Sequence, residues 1–330
     1  MILRIFRSNS PLVLFLFLIL AFVLWLPGFT SQSMNVFSFN TSQMPLYHLV
    51  YEWLQNHTFL RVFIPFLILM IQAFFILKIN REYIIVQKQN YLPVLIFILI
   101  ASSFIELQQV NPGIFSSFFV ILMLDQLFAC YRKPYVLNRL FVAGLFVGIA
   151  SLFYIYAAFY LLAIWVALFL LRSMNFREWF VPLLGLIFPY LFVAGYYYIS
   201  DQLTLVTLSE TIRANIFQEV GITYYHVSYY LFYGYLGLMI FMASISLINR
   251  FPGRKIYIRK FYEIFWWIFI GPVVLLVLRN QVSVEMLYFI AIPLTYLITD
   301  YLSALKNRSW GNLLFVLLFG GLAYILVNHF

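Results

Sequence analysis

The side chains best suited to chemistry are acids, a histidine and arginines that border long apolar stretches. A positioned carboxylate or histidine can act as a general base towards a hydroxyl acceptor, and an arginine can offer paired N–H donors to a phosphate. These residue types match transfer of a group from a phosphate-linked lipid. The candidate bases are Glu52 and Glu106, the candidate phosphate ligands are Arg61 and Arg279, and His48 and Glu285 are further candidates.

An alternative interpretation of the same charges stays open. If the apolar stretches span a membrane, each of these residues lies near the outer end of a span, where headgroups and water accommodate a charge at little cost. Residue spacing alone does not distinguish a shared site from scattered helix ends.

Motif searches argue against soluble cofactor chemistry. The sequence has no phosphate-loop, dinucleotide, zinc-protease or serine-hydrolase signature. Its 4 histidines lack metal-ligand spacing, and the single cysteine, Cys130, cannot form an internal disulfide. We therefore expect neither a metal site nor a soluble redox cofactor.

Composition indicates a membrane protein. Of the 330 residues, 65% are hydrophobic and 9% are charged, whereas a soluble domain has about 25% charged residues. Apolar runs long enough to cross a hydrocarbon core of ~30 Å recur from Pro11 onwards. The sequence predicts an all-α, polytopic helical bundle, with a single transmembrane domain over residues 1–330.

Apolar run length predicts about eleven crossings. The predicted spans are residues 11–29, 60–78, 91–107, 113–131, 140–154, 156–171, 179–199, 227–248, 263–279, 285–304 and 310–328. As one helix, residues 140–171 would be ~48 Å long, which exceeds the core, so we predict a hairpin that turns near FYIYAA. Gly144 and Gly148 would let a neighbouring helix approach closely.

The net charge of +9 reports how the chain is threaded. Lysine and arginine favour the cytoplasmic side, which places the N-terminus inside a bacterial inner membrane and gives no reason to expect a nucleic-acid partner. Outer loops then lie at about residues 30–58 and 200–226, and the main inner loop at about 249–262. MPLYHLVYEWL, residues 44–54, predicts an amphipathic helix at the interface, and a short helix should begin at Ser209.

Two acids inside the predicted spans have a structural interpretation. Asp125 precedes Arg132 by seven residues, and Asp300 precedes Lys306 by six. Both acids lie near the inner edge, where a carboxylate can reach water or a base. We expect Arg132 and Lys306 to be those bases, and we expect no proton relay.

The whole chain resembles an uncharacterised multi-pass inner-membrane family of Bacteroidota. The resemblance is carried by SNSPLVLFLFLILAFVLWLPGF, RLFVAGLFVGIASLFYIYAAFYLLAIW and NFREWFVPLLGLIFPYLFVAGYYY. More distantly, the layout resembles polytopic membrane glycosyltransferases of the C superfamily. The counterparts are a long first outer loop at Thr30–Thr58, a glycine-containing segment at Gly144–Leu152, and Arg279 followed by Pro293-Leu294.

The second resemblance implies transfer of a sugar from a polyprenyl phosphate, with an acid of the first outer loop as general base. Residues 30–58 contain no aspartate, and Glu52 is their only acid. The resemblance therefore implies Glu52 or Glu106 as the base, and Arg61 or Arg279 as the phosphate ligand. The expected donor is a lipid-linked sugar, and no metal is indicated.

Three hypotheses of function follow. The first is a glycosyltransferase-like protein of cell-envelope assembly that acts at the outer face. The second is a non-catalytic scaffold or chaperone subunit with an envelope-complex partner, which the missing first-loop aspartate favours. The third is a lipid or small-solute transporter, which the lack of internal repeats and of deep paired charges disfavours. Membrane lipids are partners in all three.

Overall fold

In a computed structural model, the protein folds as a bundle of α-helices. The structure describes residues 11–30, 43–86, 90–172, 175–199, 209–214, 227–278, 284–305 and 307–329, and these residues include no β-strand. The helices are α1 (Pro11–Thr30), α2 (Pro45–Leu54), α3 (Thr58–Tyr83), α4 (Leu92–Ala101), α5 (Pro112–Phe128), α6 (Leu137–Phe153), α7 (Tyr160–Leu171), α8 (Phe176–Ile199), α9 (Val227–Arg250), α10 (Ile256–Leu278), α11 (Met286–Ala304) and α12 (Arg308–His329). Residues 209–214 are helical too, as predicted.

The coarse membrane architecture is confirmed. A helix lies in each interval that was predicted to span the membrane. Among the described residues, 6 helices are long and apolar enough to cross. These are Leu12–Thr30, Thr58–Tyr83, Phe176–Ile199, Val227–Gly253, Met286–Ala304 and Ser309–Val327. The number of crossings stays a prediction, because α4, α5, α6 and α7 are shorter and α10 is not among the six.

The predicted hairpin between residues 140 and 171 is confirmed. Helix α6 ends at Phe153, a 3-10 turn covers Ile155–Phe159, and α7 follows. The end of α7 lies close to the chain that precedes α6. Arg172 Nη1, just after α7, donates to the carbonyl oxygens of Cys130 (3.4 Å) and Lys133, just before α6.

Helix α11 is the centre of the bundle and is buried along nearly its whole length. It runs antiparallel to α4. Near its start, the Tyr288 hydroxyl donates to the Leu107 carbonyl (3.0 Å), and near its end, Ser303 Oγ accepts from Asn90 Nδ2 (3.3 Å). In the predicted topology, the end of the bundle that contains Leu107 is the outer end, and the end that contains Asn90 is the inner end.

Ion pairs join the helices at the inner end. Lys78 Nζ lies 2.8 Å from Asp125 Oδ2, and Arg172 makes a two-pronged contact with Glu178 at 2.7 and 2.9 Å. The third acid, Asp300, accepts from two arginines, at 2.7 Å from Arg254 and 2.9 Å from Arg250. All three acidic side chains are largely buried.

One expected partner was wrong, and the other lies outside the described residues. Asp125 pairs with Lys78 of α3, not with Arg132, and Asp300 pairs with Arg250 and Arg254. Lys306 lies outside the described residues. The reason for the Asp125 result is tertiary: α3, which is distant in sequence, brings Lys78 to the acid, whereas α6 begins shortly after Arg132 and redirects the chain.

Helices α6 and α8 pack backbone to backbone at three glycines. A Cβ on Gly144 would lie 2.0 Å from the Pro182 carbonyl oxygen, and one on Gly185 would lie 2.2 Å from that of Phe141. Gly148 is similarly close to the Leu186 carbonyl oxygen, at 2.5 Å. The predicted packing role of Gly144 and Gly148 is confirmed.

We expect Gly144→Ala to destabilise the protein by about 1–3 kcal/mol, because the new methyl group forces α6 and α8 apart. Gly237→Ala is the matched control, since a Cβ there meets nothing within 4 Å and alanine favours a helix. Thermal unfolding in detergent measures both. Equal melting temperatures for the two variants would contradict the close contact.

We expect Asp300→Asn to lower the free energy of unfolding by about 3 kcal/mol, because two arginines would lose their shared acid inside the bundle. Glu52→Gln is the control. Its carboxylate is 57% exposed beside His48, and exposed pairs contribute only about 0–1 kcal/mol. Denaturant unfolding in mild detergent gives both values, and a neutral Asp300→Asn would show that the cluster is not stabilising.

Candidate functional site

The outer end contains a buried polar segment, SSFIELQQVN, residues 102–111, between α4 and α5. Helix α4 has only 10 residues and therefore rises ~15 Å, so the segment lies beside the first turns of α11. Irregular backbone at such a depth requires protein cover or a water-filled cavity. Its buried polar side chains are Ser102, Ser103, Gln108, Gln109 and Asn111.

Asn111 and the proline after it end the segment and start α5. The Asn111 side chain accepts from the Ile114 backbone N–H (2.9 Å) and donates to the carbonyls of Leu107 and Gln109 (both 2.9 Å). Pro112 occupies the first turn of α5, where a missing N–H costs nothing. The Asn111 side chain therefore satisfies backbone hydrogen-bonding groups of its own neighbours in sequence.

Gln108 attaches the segment to α1. Its side-chain amide donates to the Leu24 carbonyl (2.9 Å) and accepts from the Gly28 N–H (3.3 Å). An uninterrupted helix would join these two backbone groups to each other. The neighbouring Trp25 indole donates to Ser102 Oγ at 2.9 Å. Helix α1 and the segment thus share hydrogen bonds in the bundle interior.

Glu106 is held against α9. The Tyr229 hydroxyl donates to Glu106 Oε2 at 2.6 Å, and the Tyr229 ring stacks on Phe104 with centroids 4.3 Å apart. One turn along α9, the Tyr233 hydroxyl shares a 3.0 Å hydrogen bond with Ser103. The carboxylate is half-buried, so it is oriented by its neighbours while remaining near the outer surface.

Helix α2 covers the end of the segment. A helix is present in the predicted stretch, and its Tyr47 is buried, with the hydroxyl donating to the Val110 carbonyl (3.3 Å). Burial raises the pKa of Tyr47, the Glu285 carboxylate raises it further, and Arg61 opposes that shift. Tyr47 therefore stays protonated as a donor, and it lies within electrostatic reach of both Glu285 and Arg61.

Glu285 is completely buried directly before α11. Its Cβ lies 2.8 Å from where a Cβ on Gly113 would be, at the start of α5. The N-terminus of a helix carries partial positive charge and stabilises a nearby carboxylate. Only glycine at residue 113 leaves room for Glu285 in this position.

The predicted candidates therefore separate into two groups. Glu106 belongs to segment 102–111, Glu285 lies against the start of α5 just after that segment, and Arg61 is half-buried near the start of α3. Glu52 and His48 instead form an exposed pair 3.5 Å apart on α2. Arg279 lies outside the described residues.

Sequence reasoning missed the partners that orient the site, Tyr229, Gln108 and Trp25. Tyr229 gives no local signal, because its contact with Glu106 crosses 123 residues of chain. One signal was available: a polar run ending in Asn-Pro follows an apolar stretch too short to cross a membrane by itself.

A shallow apolar depression adjoins the site. It lies between the α6–α7 turn, α10 and the start of α11, and Met286, which follows Glu285, is one of its walls. The other lining residues are Tyr156, Ala157, Phe159, Tyr160, Pro272, Leu275 and Phe289. Hydrocarbon surface and buried carboxylate therefore meet at one end of α11.

The part of the chain that the structure describes contains no cluster of three His, Cys, Asp or Glu side chains able to hold a metal ion. Comparisons with family models, curated proteins and solved structures found no match. Function must therefore be argued from the geometry of the chain's own residues.

We expect Tyr47→Phe to destabilise the protein by about 1 kcal/mol, because the buried Val110 carbonyl loses its donor. Tyr51→Phe, on the same helix and only half-buried, is the control and should be neutral. Thermal unfolding in detergent compares the two. A neutral Tyr47→Phe would mean that α2 does not anchor segment 102–111.

Proposed function

We propose that this protein is a glycosyltransferase-like membrane protein of cell-envelope assembly that handles a polyprenyl-phosphate-linked sugar at its outer face. The observation that carries the proposal is the Glu106 carboxylate, half-buried at the outer end and oriented by the 2.6 Å hydrogen bond from Tyr229. A base in sugar transfer must be held in place and still reach the acceptor.

Glu106 is the better candidate base of the two that the sequence offered. A general base must come within about 2.6–3.2 Å of the group whose proton it takes, in a fixed orientation. Segment 102–111 provides that fixation through hydrogen bonds to α1 and α9. The Glu52 side chain is 57% exposed and, among the described residues, pairs only with His48 of its own helix, at 3.5 Å, so it is less constrained.

Arg61 is the described candidate for the donor phosphate. It lies half-buried near the start of α3, at the outer end. A guanidinium binds a phosphate through two parallel N–H donors and keeps its charge in a partly buried place. Arg279 remains the second candidate, since it precedes Glu285 by six residues.

The lipid part of such a donor needs hydrocarbon surface beside the polar group. The depression next to Glu285 offers an apolar wall at the outer ends of α10 and α11. We propose that part of a polyprenyl chain packs against this wall, beside Met286. This arrangement supports an amphipathic substrate over a small soluble one.

A non-catalytic scaffold is the second candidate, and one observation favours it. Glu52, the only acid of the first outer loop, points outward and pairs with His48. The resemblance to glycosyltransferases places the base in that loop. A scaffold would use the same buried hydrogen bonds for rigidity alone, and mild-detergent purification would recover a stoichiometric protein partner.

The decisive variant is Glu106→Gln, because glutamine keeps an oxygen that accepts from Tyr229 but cannot take a proton. We expect loss of sugar transfer by at least about 100-fold with unchanged thermal unfolding. The assay follows radiolabelled sugar from polyprenyl phosphate in vesicles reconstituted with the protein and a membrane extract as acceptor source.

Glu52→Gln is the control in that assay and should retain transfer. If Glu106→Gln also keeps full activity, Glu106 is not the base. If the wild-type protein neither binds polyprenyl phosphate nor transfers sugar, the scaffold becomes the better account.

A further inference from the structure

A second set of polar side chains is buried at the inner end, opposite to Glu106. Asn80, Asn90, Arg254 and Thr299 are each less than one tenth exposed. Each has one atom without a hydrogen-bond partner among the described residues: Asn80 Nδ2, Asn90 Oδ1, Arg254 Nη1 and Thr299 Oγ1. Buried polar atoms are paired in folded proteins, and exceptions need an explanation such as a bound ion or water.

These groups are linked to one another on the α11 side. Thr299 and Ser303 are one turn apart on the same face of α11, and Ser303 Oγ accepts from Asn90 Nδ2 at 3.3 Å. The residue after Thr299 is Asp300, whose Oδ1 accepts from Arg254 Nη2 at 2.7 Å. Asn90, Thr299 and Arg254 therefore lie around one end of one helix.

Asn80 joins the same layer through Tyr262. Asn80 Oδ1 accepts from the Val86 N–H (3.1 Å), and the carbonyl of the preceding Ile85 accepts from the Tyr262 hydroxyl (3.4 Å). The Arg254 guanidinium lies over the Tyr262 ring, 5.2 Å from its centroid. Hydrogen bonds and a ring contact thus connect the ends of α3, α10 and α11 in this layer.

The charge of the layer favours an anion. Among the described residues, Asp300 is the one acid that forms ion pairs with Arg250 and Arg254. Two positive charges and one negative charge leave a net charge of +1. Excess positive charge in a region of low dielectric attracts a counterion strongly. Arg250 is 30% exposed and is the point where the layer opens to the surface.

More basic residues follow Arg254 along the chain. Lys255 is exposed, and Arg259 and Lys260 are half-exposed on α10. Lys255 and Arg259 are four residues apart, where like charges on a helix repel one another. An anion near the opening relieves this repulsion, and the positive field steers it inward.

We infer that this layer is a binding site for a phosphate-type oxyanion, supplied by free phosphate or by the headgroup of an anionic phospholipid. Arg254 Nη1, Asn80 Nδ2 and the Thr299 hydroxyl donate to its oxygens. Asn90 Oδ1 accepts from a hydroxyl of the phosphate or headgroup. The inference is independent of sugar transfer, because it concerns the opposite end of the bundle.

Thr299→Val tests the site, because it removes a hydroxyl without changing side-chain shape. Equilibrium dialysis of the detergent-purified protein against radiolabelled inorganic phosphate should show saturable binding that Thr299→Val weakens at least about tenfold. Thr295→Val is the matched control. Its buried hydroxyl already donates to the Ala291 carbonyl at 2.7 Å, so phosphate affinity should not change.

A lipid arm distinguishes the two sources. The protein is placed in nanodiscs of phosphatidylcholine with or without phosphatidylglycerol, and native mass spectrometry counts retained lipid. If wild type retains phosphatidylglycerol and Thr299→Val does not, the ligand of the site is the lipid headgroup. If the site binds inorganic phosphate but retains no phosphatidylglycerol, the ligand is the free ion.

Equal binding by wild type and Thr299→Val in both arms, or no binding in either, would overturn the inference. A density map that shows only ordered water among Asn80, Arg254 and Thr299 under saturating phosphate would overturn it as well.

Discussion

The structure depends on how segment 102–111 satisfies its backbone inside an apolar bundle. Residues of a membrane protein cannot rely on water for hydrogen bonds at depth, and each unmet backbone group is costly. Here Asn111 bonds its own segment, Gln108 bonds α1, and Tyr47 covers Val110. The short α4 is stable because this segment completes its path to the outer end.

The two ends of the bundle use their charged groups differently. At the inner end, Asp125, Glu178 and Asp300 form ion pairs that join helices. At the outer end, the Glu106 carboxylate is held by a neutral tyrosine and Glu285 lies against the start of α5. Ion pairs suit assembly of the bundle, whereas a carboxylate oriented by a hydroxyl keeps its ability to exchange a proton.

Local sequence predicted what depends on local chemistry. The turn near FYIYAA and the α2 helix follow from apolar run length and helical periodicity, and the contact at Gly144 follows from small-residue spacing. The partners of Asp125 and Asp300 could not be predicted, because Lys78, Arg250 and Arg254 are 46 or more residues away from them. The Glu106–Tyr229 bond and the burial of Tyr47 depend on tertiary packing for the same reason.

Hydrogen exchange of the wild-type protein in nanodiscs tests the central claim most directly. If segment 102–111 is enclosed as described, its amides should exchange about as slowly as those of α11, and at least ~100-fold more slowly than those of the exposed turn at residues 132–135. Rapid exchange throughout residues 102–111, comparable to that turn, would show that the segment is an open loop. The placement of Glu106 would then lose its basis.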